Sequence, residues 1–141
     1  MIGTVQEANN YFDARRVPAA WTASTNKQAL LQEATDAINT LAFRGYRTVE
    51  AQEDEWPRNG DATTPDQVKH AVFEEAASLA SLDPQDNVER AGVLTDKYGP
   101  VSQTKLPQLL DYQKAGITSF KAWKLLLPYL VYGRTVKVKR T

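Results

Sequence analysis

The sequence predicts a mainly α-helical fold: a small bundle of about four helices with a short β-hairpin or extended excursion and a projecting C-terminal arm. Two observations lead to this prediction. Apolar residues recur at spacings of three and four in several separate stretches, and helix-capping side chains precede most of these stretches. The chain has 141 residues and no cysteine. It is long enough for one hydrophobic core, and that core has to form without disulfides or thiolate-bound metal.

The first two helices are each predicted from a capping box followed by an apolar face. Thr4 and Glu7 begin a helix that extends to Arg16, and Thr25 with Gln28 begins a second one that extends to about residue 42. The predicted inward residues are Val5, Ala8, Tyr11 and Phe12 in the first helix, and Ala29, Leu30, Ala34, Ala37, Ile38 and Leu41 in the second.

Two further helices are predicted in the second half of the bundle. Thr64 caps a third helix with Pro65 at its first position, and the pair at 83–84, Asp-Pro, ends it. Ser119–Leu127 forms a short fourth helix, which Pro128 ends or kinks. The predicted inward residues are Val68, Ala71, Val72, Ala76 and Leu79 in the third helix, and Phe120, Trp123, Leu126 and Leu127 in the fourth, where Lys121 and Lys124 face outward.

Between the third and fourth helices the pattern is less regular. We expect a hairpin or extended excursion at about residues 84–117, with one helical turn at residues 106–112. The domain organisation is then a helical domain over residues 1–130 and a basic arm over residues 131–141.

The net charge of zero hides an uneven distribution. Residues 112–141 carry seven basic residues and no acidic residue, whereas residues 1–111 carry a net charge of −7. Such asymmetry indicates that the basic part meets an acidic partner. The alternation of valine and lysine at 136–139 suits a strand added to the sheet of another chain. The predicted docking residues are Tyr129, Tyr132, Arg134, Val136, Lys137, Val138, Lys139 and Arg140.

Motifs for catalysis are weak throughout. The third helix carries the pairs Lys69-His70 and Glu74-Glu75, and the single histidine, His70, lies four residues before Glu74. A salt-bridged helix surface is a better interpretation of these residues than a metal site. No glycine-rich loop precedes a helix, so nucleotide hydrolysis has no support. We therefore expect a protein that is not an enzyme, with no cofactor and no metal. No apolar run has the length of a membrane span and no export signal is visible, which predicts a cytoplasmic protein without membrane contact.

The order of several segments resembles a family of viral proteins. These segments are residues 4–15 (TVQEANNYFDAR), Trp21, the helix from Lys27 to Asp36, residues 45–47 (GYR), residues 56–60 (WPRNG), and Pro65 with the helix at 68–76 (VKHAVFEEA). Together they are similar to the head-to-tail connector (adaptor, or head-completion) proteins of tailed bacteriophages, a group often labelled DnaT-like single-stranded-DNA-binding. The resemblance covers about residues 4–80.

This resemblance implies a virion protein that forms a ring, usually of twelve copies, between the portal and the next tail or nozzle protein. It implies the virion as location, with the host cytoplasm during assembly, and a channel through which double-stranded genomic DNA passes. The arm would dock to the portal. The turn Trp56-Pro57-Arg58 would serve as a clamp within the subunit or as a subunit contact, and four acids would line the channel: Glu50, Glu53, Asp54 and Glu55.

Two alternative functions stay open on the sequence alone. Three tryptophans and six tyrosines beside basic residues are also typical of a single-stranded-DNA-binding protein, here one of phage replication. The second alternative is a regulatory module that folds its basic arm onto a host partner.

Overall fold

The structure, a computed structural model, describes residues 1–82 and 111–131. In this part of the chain the helices are α1 (Val5–Asp13), α2 (Ala19–Ala23), α3 (Lys27–Asn39), α4 (Asp66–Ala80), α5 (Asp111–Lys114) and α6 (Phe120–Leu126), and a 3₁₀ turn follows at Leu127–Tyr129. No strand occurs within these two ranges, where β structure is limited to two isolated antiparallel bridges, Phe43 with Leu130 and Arg47 with Arg58. The prediction of a mainly helical fold is confirmed.

Helix α4 is the centre of the bundle. It contacts α1, α2, α3 and α6, and every residue from 71 to 77 is buried. The five inward residues predicted for it are all buried. A helix surrounded on all sides buries its whole circumference, so Phe73, Glu74, Glu75 and Ala77 are buried as well.

Some helix boundaries differ from the sequence-based predictions. The hydroxyl of Thr4 accepts a hydrogen bond from Glu7 N, as predicted, but α1 ends at Asp13 and not at Arg16. The N-cap of α3 is Asn26 and not Thr25, and that of α4 is Pro65 and not Thr64. Helix α2 was not predicted, because five residues are too few to show a helical period.

The excursion predicted at 84–117 is only partly described. Residues 83–110 lie outside the described ranges. The remainder is helical at α5 and not extended, and Ile117 behind it is buried. Ile117 N donates a hydrogen bond to the carbonyl oxygen of Tyr112 at 2.8 Å and closes the turn after α5.

Candidate nucleic-acid interface

An aromatic and basic surface lies on α5 and α6. We call it the α6 patch and define it as Tyr112, Phe120, Lys121 and Lys124. The side chain of Phe120 is 56% exposed. Its ring lies 5.6 Å from the ring of Tyr112, and Lys124 Nζ lies 5.8 Å from the centre of the Phe120 ring. An exposed ring beside lysines provides both a stacking face and positive charge.

The outward position of Phe120 corrects the predicted inward face of α6. The buried stripe consists of Ala122, Trp123 and Leu126. On a helix of 3.6 residues per turn Phe120 falls outside this stripe and lies on the same side as Lys124, four residues later. Leu127, also predicted to face inward, is 37% exposed in the 3₁₀ turn. The start of α6 is as predicted, because the hydroxyl of Ser119 accepts a hydrogen bond from Ala122 N.

A buried carboxyl group of α4 holds the start of α6. Glu75 is fully buried, and its oxygens accept hydrogen bonds from Thr118 N at 3.1 Å, from Ser119 N at 2.9 Å and from Thr118 Oγ1 at 3.0 Å. The hydroxyls of Thr118 and Ser78 are also hydrogen-bonded, at 2.7 Å. Burial raises the pKa of Glu75 to about 7, although the donors from Thr118 and Ser119 act in the opposite direction.

This raised pKa predicts a pH-dependent stability. An unfolded chain releases the Glu75 proton near its ordinary pKa of 4.5, while the folded protein keeps it up to about pH 7. The free energy of unfolding therefore falls as the pH rises from 4.5 to 7, by on the order of 3 kcal/mol, and this contribution is complete below pH 4.5. Urea unfolding of the wild type and of Glu75→Gln over pH 4–8 measures it as the difference between the two curves. Parallel curves would contradict the prediction.

The prediction of a salt-bridged surface at His70 and Glu74 is wrong, because Glu74 and Glu75 are both buried. Glu74 is 9% exposed and accepts a hydrogen bond from the hydroxyl of Tyr11 at 2.7 Å. His70 stacks on Tyr11 with 4.4 Å between ring centres, and burial lowers the pKa of His70. Only Lys69 forms a surface ion pair there, with Glu7 at 3.0 Å. Among the residues that the structure describes, no three His, Asp or Glu side chains come together as a metal site would need.

The four acidic residues predicted to line a channel lie on the loop before α4. Glu50 and Glu53 are exposed. Asp54 accepts hydrogen bonds from the N-terminal ammonium of Met1 at 3.0 Å and from Asn39 Nδ2 at 2.9 Å. Glu55 forms an ion pair with Arg58. Two of the four acids therefore have partners within the chain.

The turn at 56–58 joins this loop to the end of the α6 segment. Trp56 is buried, with its ring 5.2 Å from the ring of Phe43 and 5.2 Å from that of Tyr129, and its peptide bond to Pro57 is cis. The indole therefore packs within the chain, and a subunit contact for this turn stays a prediction. The remaining docking residues of the basic arm, from Tyr132 to Arg140, lie outside the described residues.

Arg58 is a buried residue whose role sequence reasoning did not find. Its guanidinium donates to the carbonyl oxygens of Phe43, Arg44 and Gly45, and to the Glu55 carboxylate at 2.8 Å. Gly45 has a φ of +82°, and a Cβ there would collide with the side chain of Asn59. Tyr46, next to this glycine, is 63% exposed on a loop that is rich in acids.

The chain was compared with known proteins. Residues 3–141 match the DnaT-like ssDNA binding protein family. A search of curated proteins and a search of solved structures each found no significant match. In addition, no helix in the described ranges is both long enough and apolar enough to cross a membrane.

The family match overturns the assignment to the head-to-tail connectors of bacteriophages. That assignment was wrong, because the match points to single-stranded DNA as the ligand. The implied virion role, the portal and tail partners, the ring and the channel for double-stranded DNA depended on it and are withdrawn. The match covers nearly the whole sequence, and the chain belongs to the DnaT-like ssDNA binding protein family.

Proposed function

We propose that the protein binds single-stranded DNA through the α6 patch, and that its role is binding rather than catalysis. The observation that carries this proposal is the exposed ring of Phe120, which lies beside Tyr112 and below the ammonium group of Lys124. Membership of the DnaT-like ssDNA binding protein family supports the same ligand.

The chemistry of the patch favours single strands over duplexes. Bases in a single strand have free faces that can stack on an aromatic side chain, at about 1–3 kcal/mol per base. In a duplex those faces are covered by neighbouring base pairs. Phe120 and Tyr112 offer ring surface on adjacent short helices. Phe120 has no polar group, and the single hydroxyl of Tyr112 cannot form the paired hydrogen bonds by which a bidentate side chain reads a base edge. We therefore expect binding with little dependence on sequence.

The charge distribution supports phosphate contacts near these two rings. Every charged residue in 112–141 is basic. Three of these residues lie in the described range, and all three are exposed: Lys114, Lys121 and Lys124. The rest of the chain has a net charge of −7 and repels phosphates overall. Lysines that neutralise phosphates release counterions, so affinity falls as salt is added.

Substitution of Phe120 tests the proposal. We expect Phe120→Ala to lower the affinity for a fluorescein-labelled oligothymidine about tenfold, because one stacked base loses its partner, and Phe120→Trp to keep it. Fluorescence anisotropy at two salt concentrations measures both. Because Phe120 is largely exposed, the alanine variant should unfold at the same urea concentration as the wild type.

Tyr46→Ala is the matched control. Tyr46 is an aromatic residue that is even more exposed than Phe120. Arg44 and Arg47 flank it, but Arg44 Nε donates to the carbonyl oxygen of Leu130 and Arg47 lies 3.9 Å from Glu55. Its loss should leave the affinity unchanged. The proposal is overturned if the wild type binds no oligothymidine at low salt, or if Phe120→Ala binds as tightly as the wild type.

A further inference from the structure

We infer that Glu75 is a positioning residue for the binding of single-stranded DNA: from the buried helix α4 it fixes the start of α6 and thereby the placement of Phe120, Lys121 and Lys124. The inference rests on the proposed function, and it adds a residue that the DNA itself does not touch. Glu75 has no exposed surface.

Helix α6 depends on its neighbours for its orientation. It has seven residues, which is too short for a helix to be stable through its own hydrogen bonds. Two side chains of α4 hold it. Glu75 accepts from Thr118 N and Ser119 N just before α6, and Gln67 Nε2 donates to the carbonyl oxygen of Leu125 near its end, at 2.8 Å.

The spacing of these two attachments matches the length of α6. Glu75 and Gln67 are eight residues apart on α4, which corresponds to about 12 Å along a helix axis, and the seven residues of α6 span about 10 Å. Since the later residue of α4 binds the earlier end of α6, the two helices run antiparallel. The short helix is thus attached at both ends to the most buried helix of the bundle.

The Glu75 attachment is the stronger of the two. Both carboxyl oxygens of Glu75 accept hydrogen bonds. Their donors include the backbone N–H groups of Thr118 and Ser119, which precede the helix and have no other acceptor among the described residues. Burial of a carboxyl group costs free energy, and the hydrogen bonds from Thr118 and Ser119 offset part of that cost. A fixed direction for α6 gives the buried carboxyl a second use.

Fixed placement of the α6 patch favours binding because a preorganised surface loses less freedom when the ligand arrives. Phe120 follows directly after Ser119, so any movement at the start of α6 moves the ring that stacks on the base. Lys124 lies one turn later and moves with it.

The experiment compares two substitutions of Glu75 in the full chain, with the same labelled oligothymidine. Glu75→Leu leaves the N–H groups of Thr118 and Ser119 without an acceptor, and we expect its affinity to fall about tenfold. Glu75→Gln keeps an oxygen for these donors, and we expect its affinity to stay within about twofold of the wild type. Hydrogen exchange of the Thr118 and Ser119 amides should speed up in the leucine variant alone.

Tyr11→Phe is the control for a loss of stability. It removes the hydrogen bond to Glu74, the neighbour of Glu75 on α4, and leaves the attachment of α6 intact. Its affinity should equal that of the wild type. If Glu75→Leu does not fold, Thr118→Val removes one hydrogen bond to Glu75 and should weaken binding about threefold.

The outcomes separate this inference from the proposed function. If the wild type binds oligothymidine and a folded Glu75→Leu variant binds it with equal affinity, the positioning role alone is overturned. The same holds if Glu75→Leu is unfolded and Thr118→Val binds as the wild type does. A wild type that binds no oligothymidine overturns the proposed function, and the positioning role with it.

Discussion

Replacing Arg58 with methionine is expected to lower the free energy of unfolding by about 3–5 kcal/mol. Arg58 is 5% exposed, and its guanidinium joins three carbonyl oxygens of residues 43–45 to Glu55. Methionine fills much of the same volume but donates no hydrogen bond. The three carbonyl oxygens would lose a hydrogen-bond donor, and Glu55 would keep the 3.9 Å contact with Arg47 in place of the shorter one. A polar group left unpaired in the interior is costly. Urea unfolding followed by tryptophan fluorescence measures the change.

Arg47→Met is the matched control for this prediction. Arg47 lies 3.9 Å from the same carboxylate, that of Glu55, but its side chain is 38% exposed. An exposed ion pair contributes little, so the loss should stay below about 1 kcal/mol. Equal effects of the two substitutions would show that the buried hydrogen bonds of Arg58 do not stabilise the loop.

Trp21→Ala is expected to lower the free energy of unfolding by about 3–5 kcal/mol as well. Trp21 is 1% exposed on α2, its ring packs 5.6 Å from that of Phe12, and its Nε1 donates to Asn9 Oδ1 at 3.1 Å. The alanine variant leaves a cavity between α1 and α2, which are both short. Loss of α2 from the core should appear as a lower midpoint of thermal unfolding.

A pair of phenylalanine substitutions separates the packing of tryptophan from its hydrogen bond. Trp21→Phe should cost about 1–2 kcal/mol more than Trp56→Phe, because the indole N–H of Trp56 has no hydrogen-bond partner within the described residues whereas that of Trp21 has one. If Trp56→Phe proves the more costly of the two, the hydrogen bond of Trp21 is not the deciding difference.

Helices α1, α3, α4 and α6 could be predicted from the sequence because their capping residues and apolar spacing are local signals. Thr4 and Ser119 cap their helices through bonds to residues three positions later, and the apolar spacing of α4 spans fifteen residues. Helix α2 could not be predicted, since five residues contain little more than one turn. The hydrogen bonds from Arg58 to the carbonyl oxygens of Arg44 and Gly45 could not be predicted either, because thirteen or more positions of an irregular loop separate the donor from its acceptors.

The candidate site could be predicted only in part. The lysines at 121 and 124 were correctly placed on the outer face of α6, whereas Phe120 was placed inside because aromatic residues are more often buried. Glu75 was interpreted as part of a charged surface. Nothing in its own helix shows that its partners are Thr118 and Ser119, which lie more than forty positions away.

The ligand could not be chosen from charge alone. A basic stretch of +7 attracts the carboxylates of a protein partner and the phosphates of a nucleic acid in the same way. The sequence-based interpretation chose carboxylates on a viral portal, and the family match favours phosphates of single-stranded DNA. Under the proposed function, the exposed ring of Phe120 favours single-stranded DNA, because bases stack on aromatic rings and carboxylates do not.

The loop that Arg58 closes offers a place for a spectroscopic label. Its base is held by the bridge between Arg47 and Arg58 and by Thr48 N, which donates to the carbonyl oxygen of Pro57 at 3.1 Å. Ala51 is exposed between these attachments, and the chain has no native cysteine that would compete for a thiol-reactive dye. A dye on Ala51→Cys lies outside the α6 patch and would report the approach of a donor-labelled oligonucleotide by energy transfer.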